Sequence, residues 1–312
     1  MAVTSREVAQ LAGVSRSTVS YILGGRGDRF SAATRESVLE AARKLGYSPQ
    51  PAGRALRSGR SDVVVVELPH VLNGIFVDRL VEYGRAFEQY GLTALFQSGE
   101  VTQASIAGLV SALRPRAYIA TRSIPDDQAR LLSEAGIRPI SMSTSAFDQA
   151  ILSAQLTVLA DRGCTQVRYV RLLEAERDVF QMERQAAFVR TAGARGWEHD
   201  AITVSLHSED GAQELAGLAA GTGLACYNDE AAGLVLRHLA DAGRSVPGEI
   251  AVVGVDDAPL ASLVTPRLTT VASEIDFSWD ALMERYLDGN GAEPAMVEIQ
   301  PTNVVIYRRE SA

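Results

Sequence analysis

The stretch Thr4–Leu23, TSREVAQLAGVSRSTVSYIL, constrains this chain more than any other. It holds two short helical patterns separated by a tight turn. Thr4 with Glu7 three residues on has the form of a capping box. Val8, Leu11 and Ala12 supply an i, i+3, i+4 apolar stripe, and Gly13 tolerates the positive φ that ends a helix. Ser15 is placed to cap the second helix, whose apolar back is Val19, Ile22 and Leu23. At about 100° per residue, Arg16, Ser17, Ser20 and Tyr21 fall on the opposite face. A short helix with an apolar back and a row of hydrogen-bonding groups in front suits the DNA major groove. The same stripes also occur in generic helical hairpins, so the rest of the chain must decide between the two.

Charge favours DNA. The chain of 312 residues has a net charge of −8, which alone argues against a polyanionic partner. Residues 1–60, however, contain ten Arg or Lys against four acids, and Lys44 is the single lysine of the chain. A basic head on an acidic body is the footprint of a phosphate-binding module on a carrier. Ser31 is placed to cap a third helix, with Val38, Ala42 and Leu45 on its buried side, Leu39 beside them and Gly46 at its end. Tyr47 reads as a packing residue. Residues 24–29, GGRGDR, read as a surface loop, which accounts for the Arg-Gly-Asp triplet without an adhesion role.

From Asp62 the pattern changes to alternating strands and helices. Val63–Val66 is a wholly apolar β-branched run of the kind buried on both faces of a parallel sheet. Strands follow at 93–96, 117–120 and 137–141, with helices at 76–90, 105–113 and 126–135. A second series has strands at 166–170, 202–205, 224–227 and 250–255 and helices at 149–162, 183–195, 211–219 and 229–242. Two successive α/β units imply two lobes, with ligands taken at the carboxyl ends of the parallel strands. The length fits two or three domains. No apolar run reaches the roughly 18 residues of a membrane span. MAVTSREV has no apolar signal region, so a soluble cytoplasmic protein is expected. Cys164 and Cys226 are too few for a disulfide framework and read as buried thiols. No GxxxxGK[ST], GxGxxG or HExxH occurs, and His70, His199, His207 and His238 form no catalytic or metal-binding pair by spacing. No enzymatic activity, cofactor or metal is expected.

The wording of the head is specific. Ala9-Gln10-Leu11-Ala12-Gly13-Val14-Ser15, Thr18-Val19-Ser20, Leu23 and Ser31 through Pro49 closely resemble the headpiece of the lactose-repressor/galactose-repressor (LacI/GalR) family of bacterial regulators. The resemblance covers most of the chain, more thinly in the body. It returns at Tyr227-Asn228-Asp229-Glu230-Ala231-Ala232-Gly233, at Ala242–Asp257, at Pro266–Val271 and at Gln300–Val305. It implies an N-terminal all-α helix-turn-helix headpiece over 1–49, a linker over 50–61, and an α/β periplasmic-binding-protein-like core of two parallel-sheet lobes over 62–312. It places one lobe at about 62–145 and 271–289, the other at about 146–270 and 290–312, with crossings near Ser145, Thr270 and Gly289.

The resemblance also implies partners and contacts: operator DNA bound as a homodimer, and a small effector, a sugar or another polar metabolite. DNA contacts are expected from Thr4, Ser15, Arg16, Ser17, Ser20 and Tyr21. Arg16 and Ser17 hold the main base-reading positions, and Tyr21 stands where arginine is common. Arg54, Ala55, Leu56 and Arg57 are expected to form a hinge helix in the minor groove, Leu56 being the wedge that bends the duplex. Pro51 and Gly53 depart from the alanine-rich pattern, and Gly53 costs about 1 kcal/mol of helix propensity. A plain tether is the competing reading. By position Phe76, Arg184, Asn228 and Asp256 match effector contacts. Asn228 and Asp229 could equally be helix caps, and Asp256 and Asp257 could simply hold a turn. Departures at Pro69–Phe76, Arg116–Ala120 and Arg171–Glu174 point to a remodelled pocket, so a core that acts only through dimerisation or a protein partner is the alternative. No leucine heptad follows the last strand, which predicts a dimer over a tail-built tetramer.

Overall fold

The structure, a computed structural model, describes residues 3–23, 27, 30–47, 61–68, 74–99, 101–275, 282–287 and 293–312. It divides into two compact units, Met1–Asp62 and Val63–Ala312. The hinge residues Arg54, Ala55, Leu56 and Arg57 lie outside the described residues.

The first unit is a three-helix cluster: α1 (Ser5–Ala12), α2 (Arg16–Leu23) and α3 (Ala32–Leu45). The Thr4 amide donates to Glu7 Oε2 at 2.7 Å and the Thr4 hydroxyl to the same atom at 2.8 Å, closing α1 at its start. Gly13 and Gly46 end α1 and α3 in the left-handed region, with φ of 67° and 61°. Ser15 Oγ accepts the Thr18 amide, and Ser31 Oγ the Thr34 amide. Val8, Ala9, Val19, Ile22, Val38, Ala41 and Ala42 form the core, with Tyr47 packed on its edge. The α1 stripe is therefore rotated from the expected one: Leu11 is 54% exposed while Ala9 is buried. Leu39 is also exposed.

The second unit carries two sheets. Its strands are β1 (Val63–Glu67), β2 (Thr93–Gln97), β3 (Ala117–Ala120), β4 (Arg138–Ser143), β5 (Gln166–Leu172), β6 (His199–Val204), β7 (Thr222–Cys226), β8 (Ile250–Val255), β9 (Thr269–Ile275), β10 (Ala295–Glu298) and β11 (Pro301–Tyr307). The helices are α4 (Gly74–Gln89), α5 (Gln103–Leu113), α6 (Asp126–Glu134), α7 (Ser145–Asp161), α8 (Val179–Ala194), α9 (Ala212–Ala216), α10 (Asp229–Asp241) and α11 (Leu260–Leu263). The first sheet runs β10-β4-β3-β1-β2 and is parallel throughout; the second runs β11-β9-β8-β7-β5-β6, with only β11 antiparallel. Both faces of β1 are buried, as its four valines require: Val64 and Val66 join one apolar cluster and Val65 another. In the second sheet Tyr169, Leu224 and Val252 are sealed on one core with α7, α8 and α10.

Sheet membership moves two expected lobe boundaries. Strand β9 stays in the second sheet through Ile275, and β10 at 295–298 joins β4 of the first. The chain therefore returns to the second sheet between Glu298 and Pro301, later than the expected crossing near Gly289, and leaves it after Ile275, later than Thr270. The first exchange, between β4 and α7, stands at Thr144, beside the expected Ser145. Among the described residues no helix is long and apolar enough to cross a membrane.

Candidate functional site

In the headpiece unit α2 turns Val19 and Ile22 inward and leaves Arg16, Ser17 and Tyr21 exposed and Ser20 half-buried. Four candidate groups, Thr4, Ser15, Ser17 and Tyr21, are engaged by their own surroundings. Ser15 Oγ lies 2.6 Å from Ser17 Oγ and 2.8 Å from Thr18 Oγ1, so Ser17 is folded back on the cap. The Tyr21 ring leans on Phe30, with centroids 6.4 Å apart and planes at 40°. Thr4 is engaged by Glu7. Arg16 stands exposed at the start of α2.

In the core unit both sheets have a point where strand order reverses: between β1 and β3 in the first, and between β5 and β7 in the second. Such reversals leave a crevice at the carboxyl ends of the strands. Three of the four expected effector contacts gather at the second crevice. Arg184, on α8 and 5% exposed, donates from Nε to Asp148 Oδ1 at 2.9 Å and from Nη1 to the Tyr227 carbonyl at 2.6 Å. Its guanidinium carbon stands 5.3 Å from the Tyr227 ring centroid. Asp256, just past β8, keeps partial exposure and a φ of 104°. Loss of solvent around it pushes its carboxyl above the ordinary range, opposed by the charge of Arg184. Asn228 caps α10: its Oδ1 accepts the Ala231 amide at 2.9 Å, and its Nδ2 donates to Glu230 at 3.0 Å. The capping reading thus accounts for Asn228, whose side chain is buried and engaged. Phe76 lies in α4 after β1; its side chain is outside the described residues.

Sequence reasoning missed several members of this site. Asp148 is fully buried on α7, and complete desolvation pushes its carboxyl up despite the adjacent Arg184. The signal was present in the spacing: Asp148 and Gln155 sit two turns apart on a face otherwise made of Ile151, Leu152 and Leu156. Gln155 Nε2 donates to the carbonyls of Cys226 and Val253 at 3.0 Å each. At the first crevice Glu67, the last residue of β1, accepts Arg122 Nε at 2.5 Å and the Tyr118 hydroxyl at 2.8 Å, while Arg122 Nη2 also donates to Gln128 at 3.0 Å. Burial raises the Tyr118 phenol, so it remains a donor. In the remodelled stretch after β5, Glu174 accepts the Ser205 hydroxyl at 2.6 Å and the Leu206 amide at 3.0 Å. Cys226 is buried and its thiol is pushed up by desolvation. Among the described residues no group of His, Cys, Asp and Glu is arranged to hold a metal ion.

Known proteins share the headpiece wording and the fold of the core. Residues 4–50 match the family of bacterial regulatory proteins of the lacI type, and residues 156–311 match the periplasmic binding protein-like domain. The transcriptional regulator MalR of Streptomyces coelicolor is 27% identical, over 93% of this chain and 90% of that protein. The lac repressor dimer bound to operator and an anti-inducer superposes with a TM-score of 0.74 at 19% identity, over 100% of this chain and 99% of that one. The complex of the regulator CelR with cellobiose gives a TM-score of 0.61 at 22% identity, over 99% and 100%. With a helix-turn-helix head that carries the family's wording and a core of two parallel-dominated sheets, the chain belongs to the LacI/GalR family and is a DNA-binding transcriptional regulator.

Proposed function

We propose that the protein is a cytoplasmic repressor that binds an inverted-repeat operator as a homodimer, its affinity set by a small polar metabolite of the sugar class held between the two sheets. One headpiece reads too few base pairs for specificity, and a two-fold dimer doubles the site. The observation that carries the effector reading is that Arg184 and Asp256 lie within electrostatic reach of each other at the carboxyl ends of β7 and β8: a guanidinium donor and a partly exposed carboxylate acceptor, the two kinds of group that sugar hydroxyls need. Support also comes from the cellobiose complex of a protein with the same fold and from the operator-bound dimer of another. Thr4, Ser15, Arg16, Ser17, Ser20 and Tyr21 are the proposed major-groove contacts, with Arg54, Ala55, Leu56 and Arg57 in the minor groove. Phe76, Arg184, Asn228 and Asp256 are the proposed effector contacts.

A thermal-shift screen of neutral sugars, cellobiose, ribose and galactose among them, tests this. A ligand of the native state at one hundred times its Kd stabilises by about 2.7 kcal/mol, and Asp256→Ala should abolish the shift. A specific observation favours a second reading, a core without a small-molecule effector: two donor atoms of Arg184 are already engaged by protein atoms, and Asn228 is committed to its helix. Operator binding by a protein that no metabolite stabilises would select that reading.

A further inference from the structure

Asp229 falls within the family wording beside Asn228, but its carboxylate is held by two segments distant from its own helix. It is the first residue of α10 and is 1% exposed. Its Oδ1 accepts the Thr270 hydroxyl of β9 at 2.6 Å, and its Oδ2 accepts the Ala258 amide at 2.7 Å. Thr270 Oγ1 in turn accepts the Asp257 amide at 3.3 Å, and the Asp256 amide donates to the Val271 carbonyl at 2.9 Å. One carboxylate therefore joins the start of a helix, the turn after β8 and the strand that leads out of the second sheet.

The turn it holds is strained. Asp256 and Asp257 have φ of 104° and 52°, a region that side chains with a Cβ seldom adopt. Such a conformation persists only where surrounding contacts over-determine it. The approach of Asp229 is also built into the neighbouring strand: a Cβ on Gly254 would stand 2.1 Å from Asp229 Oδ1. Glycine at 254 leaves room for the carboxylate, which in turn fixes Ala258, two residues beyond Asp256.

We infer that Asp229 is a positioning residue of the effector site: it holds the strained 256–258 turn so that Asp256 meets the ligand, and ties that turn to β9 through Thr270. The inference rests on Asp256 being an effector contact. Strand β9 runs from this latch to Ile275. A ligand that pulls on Asp256 therefore pulls on a segment bonded to that strand, and through Asp257 on Arg309, whose Nη2 donates to Asp257 Oδ1 at 2.6 Å.

The test uses the full chain and hydrogen-exchange mass spectrometry, which needs no ligand. Asp229→Ala should raise exchange about tenfold over peptides spanning 256–264 and 269–275 and leave β5 and β6 unchanged. Asp229→Asn, which retains an acceptor for the Ala258 amide, should restore protection. Thr270→Val should loosen the same peptides, and Thr270→Ser should not. Exchange in Asp229→Ala equal to wild type, or raised evenly over the whole core, overturns the latch, as does equal loosening by the alanine and asparagine variants. In parallel, any sugar that raises the Tm of wild type should bind about tenfold more weakly to Asp229→Ala and recover in Asp229→Asn. Loosening without any sugar-dependent shift in wild type would instead remove the effector reading and leave the latch standing.

Discussion

Removal of the Asp148 carboxylate should cost more than any other single side-chain truncation at the β5/β7 crevice. Asp148 is fully buried, and the Arg184 side chain keeps only 6% of its exposure. The Arg184 guanidinium cannot lose its proton, so Asp148→Ala leaves a buried charge without its hydrogen-bonded carboxylate, with only the more distant Asp256 to oppose it. Breaking a buried pair in this way costs about 3–5 kcal/mol. For a unit of the size of 63–312, at roughly 2–4 °C per kcal/mol, the Tm should fall by about 10 °C. The double variant Asp148→Leu/Arg184→Met removes both charges and their desolvation together, and should recover much of the loss. The assay is urea denaturation followed by far-ultraviolet circular dichroism on wild type, Asp148→Leu, Arg184→Met and the double, read as a double-mutant cycle, with Asp148→Ala measured beside them. Two results would refute the reasoning: Asp148→Ala within about 1 kcal/mol of wild type, or a double variant as unstable as the sum of the singles.

Other expectations follow from the same contacts. Desolvation pushes the Asp229 carboxyl up to about 7, above an unfolded value of about 3.9. The folded state then holds that proton longer, so its contribution is fully present below pH ~4 and is lost as pH rises through ~7, by up to about 4 kcal/mol. Asp229 faces Asp256, Asp257 and Cys226; a pH series of denaturation curves should show the slope shrink in Asp229→Asn and persist in Asp257→Asn. Gly254→Ala should destabilise by about 1–3 kcal/mol through overcrowding of a carboxylate that two hydrogen bonds hold in place, readable as a lowered urea midpoint. In the linker, Leu56→Ala should weaken operator binding and reduce duplex bending in a circular-permutation gel assay, with dimerisation unchanged; unaltered affinity and bending would make the linker a tether.

Much of the fold was legible because it depends on local rules. Val63–Val66 could only be an interior strand, Gly13 and Gly46 could only end helices, and the strands at 117–120 and 250–255 stand where their apolar runs place them. What was not legible depends on neighbours distant in sequence. The α1 stripe had two possible phases because Val8, Ala9, Leu11 and Ala12 are all apolar; α3 selects the one that buries Ala9, offering the small side chains of Ala41 and Ala42 for a close approach. Strand β10 is four residues long and half exposed, so nothing in AMVE announced that it would join the first sheet. Arg184 was identified from its motif, but its partner lies 36 residues earlier on another helix. Asn228 and Asp229 read alike as caps. The structure separates them: Asn228 turns to its own helix, and Asp229 turns away from it to Ala258 and Thr270.

The most direct test of the regulator account is selection of binding sites from random duplex DNA by the wild-type protein and by Arg16→Ala, with affinities measured at fixed salt. Arg16 stands exposed at the amino end of α2, where a groove-facing helix reads bases. Wild type should select an inverted repeat, with no guanine preference at the base pair facing Tyr21. Arg16→Ala should lose about 1–3 kcal/mol on that site and relax the selected sequence. Selection of an unrepeated site by wild type, or equal affinity and an unchanged sequence for Arg16→Ala, would contradict the account.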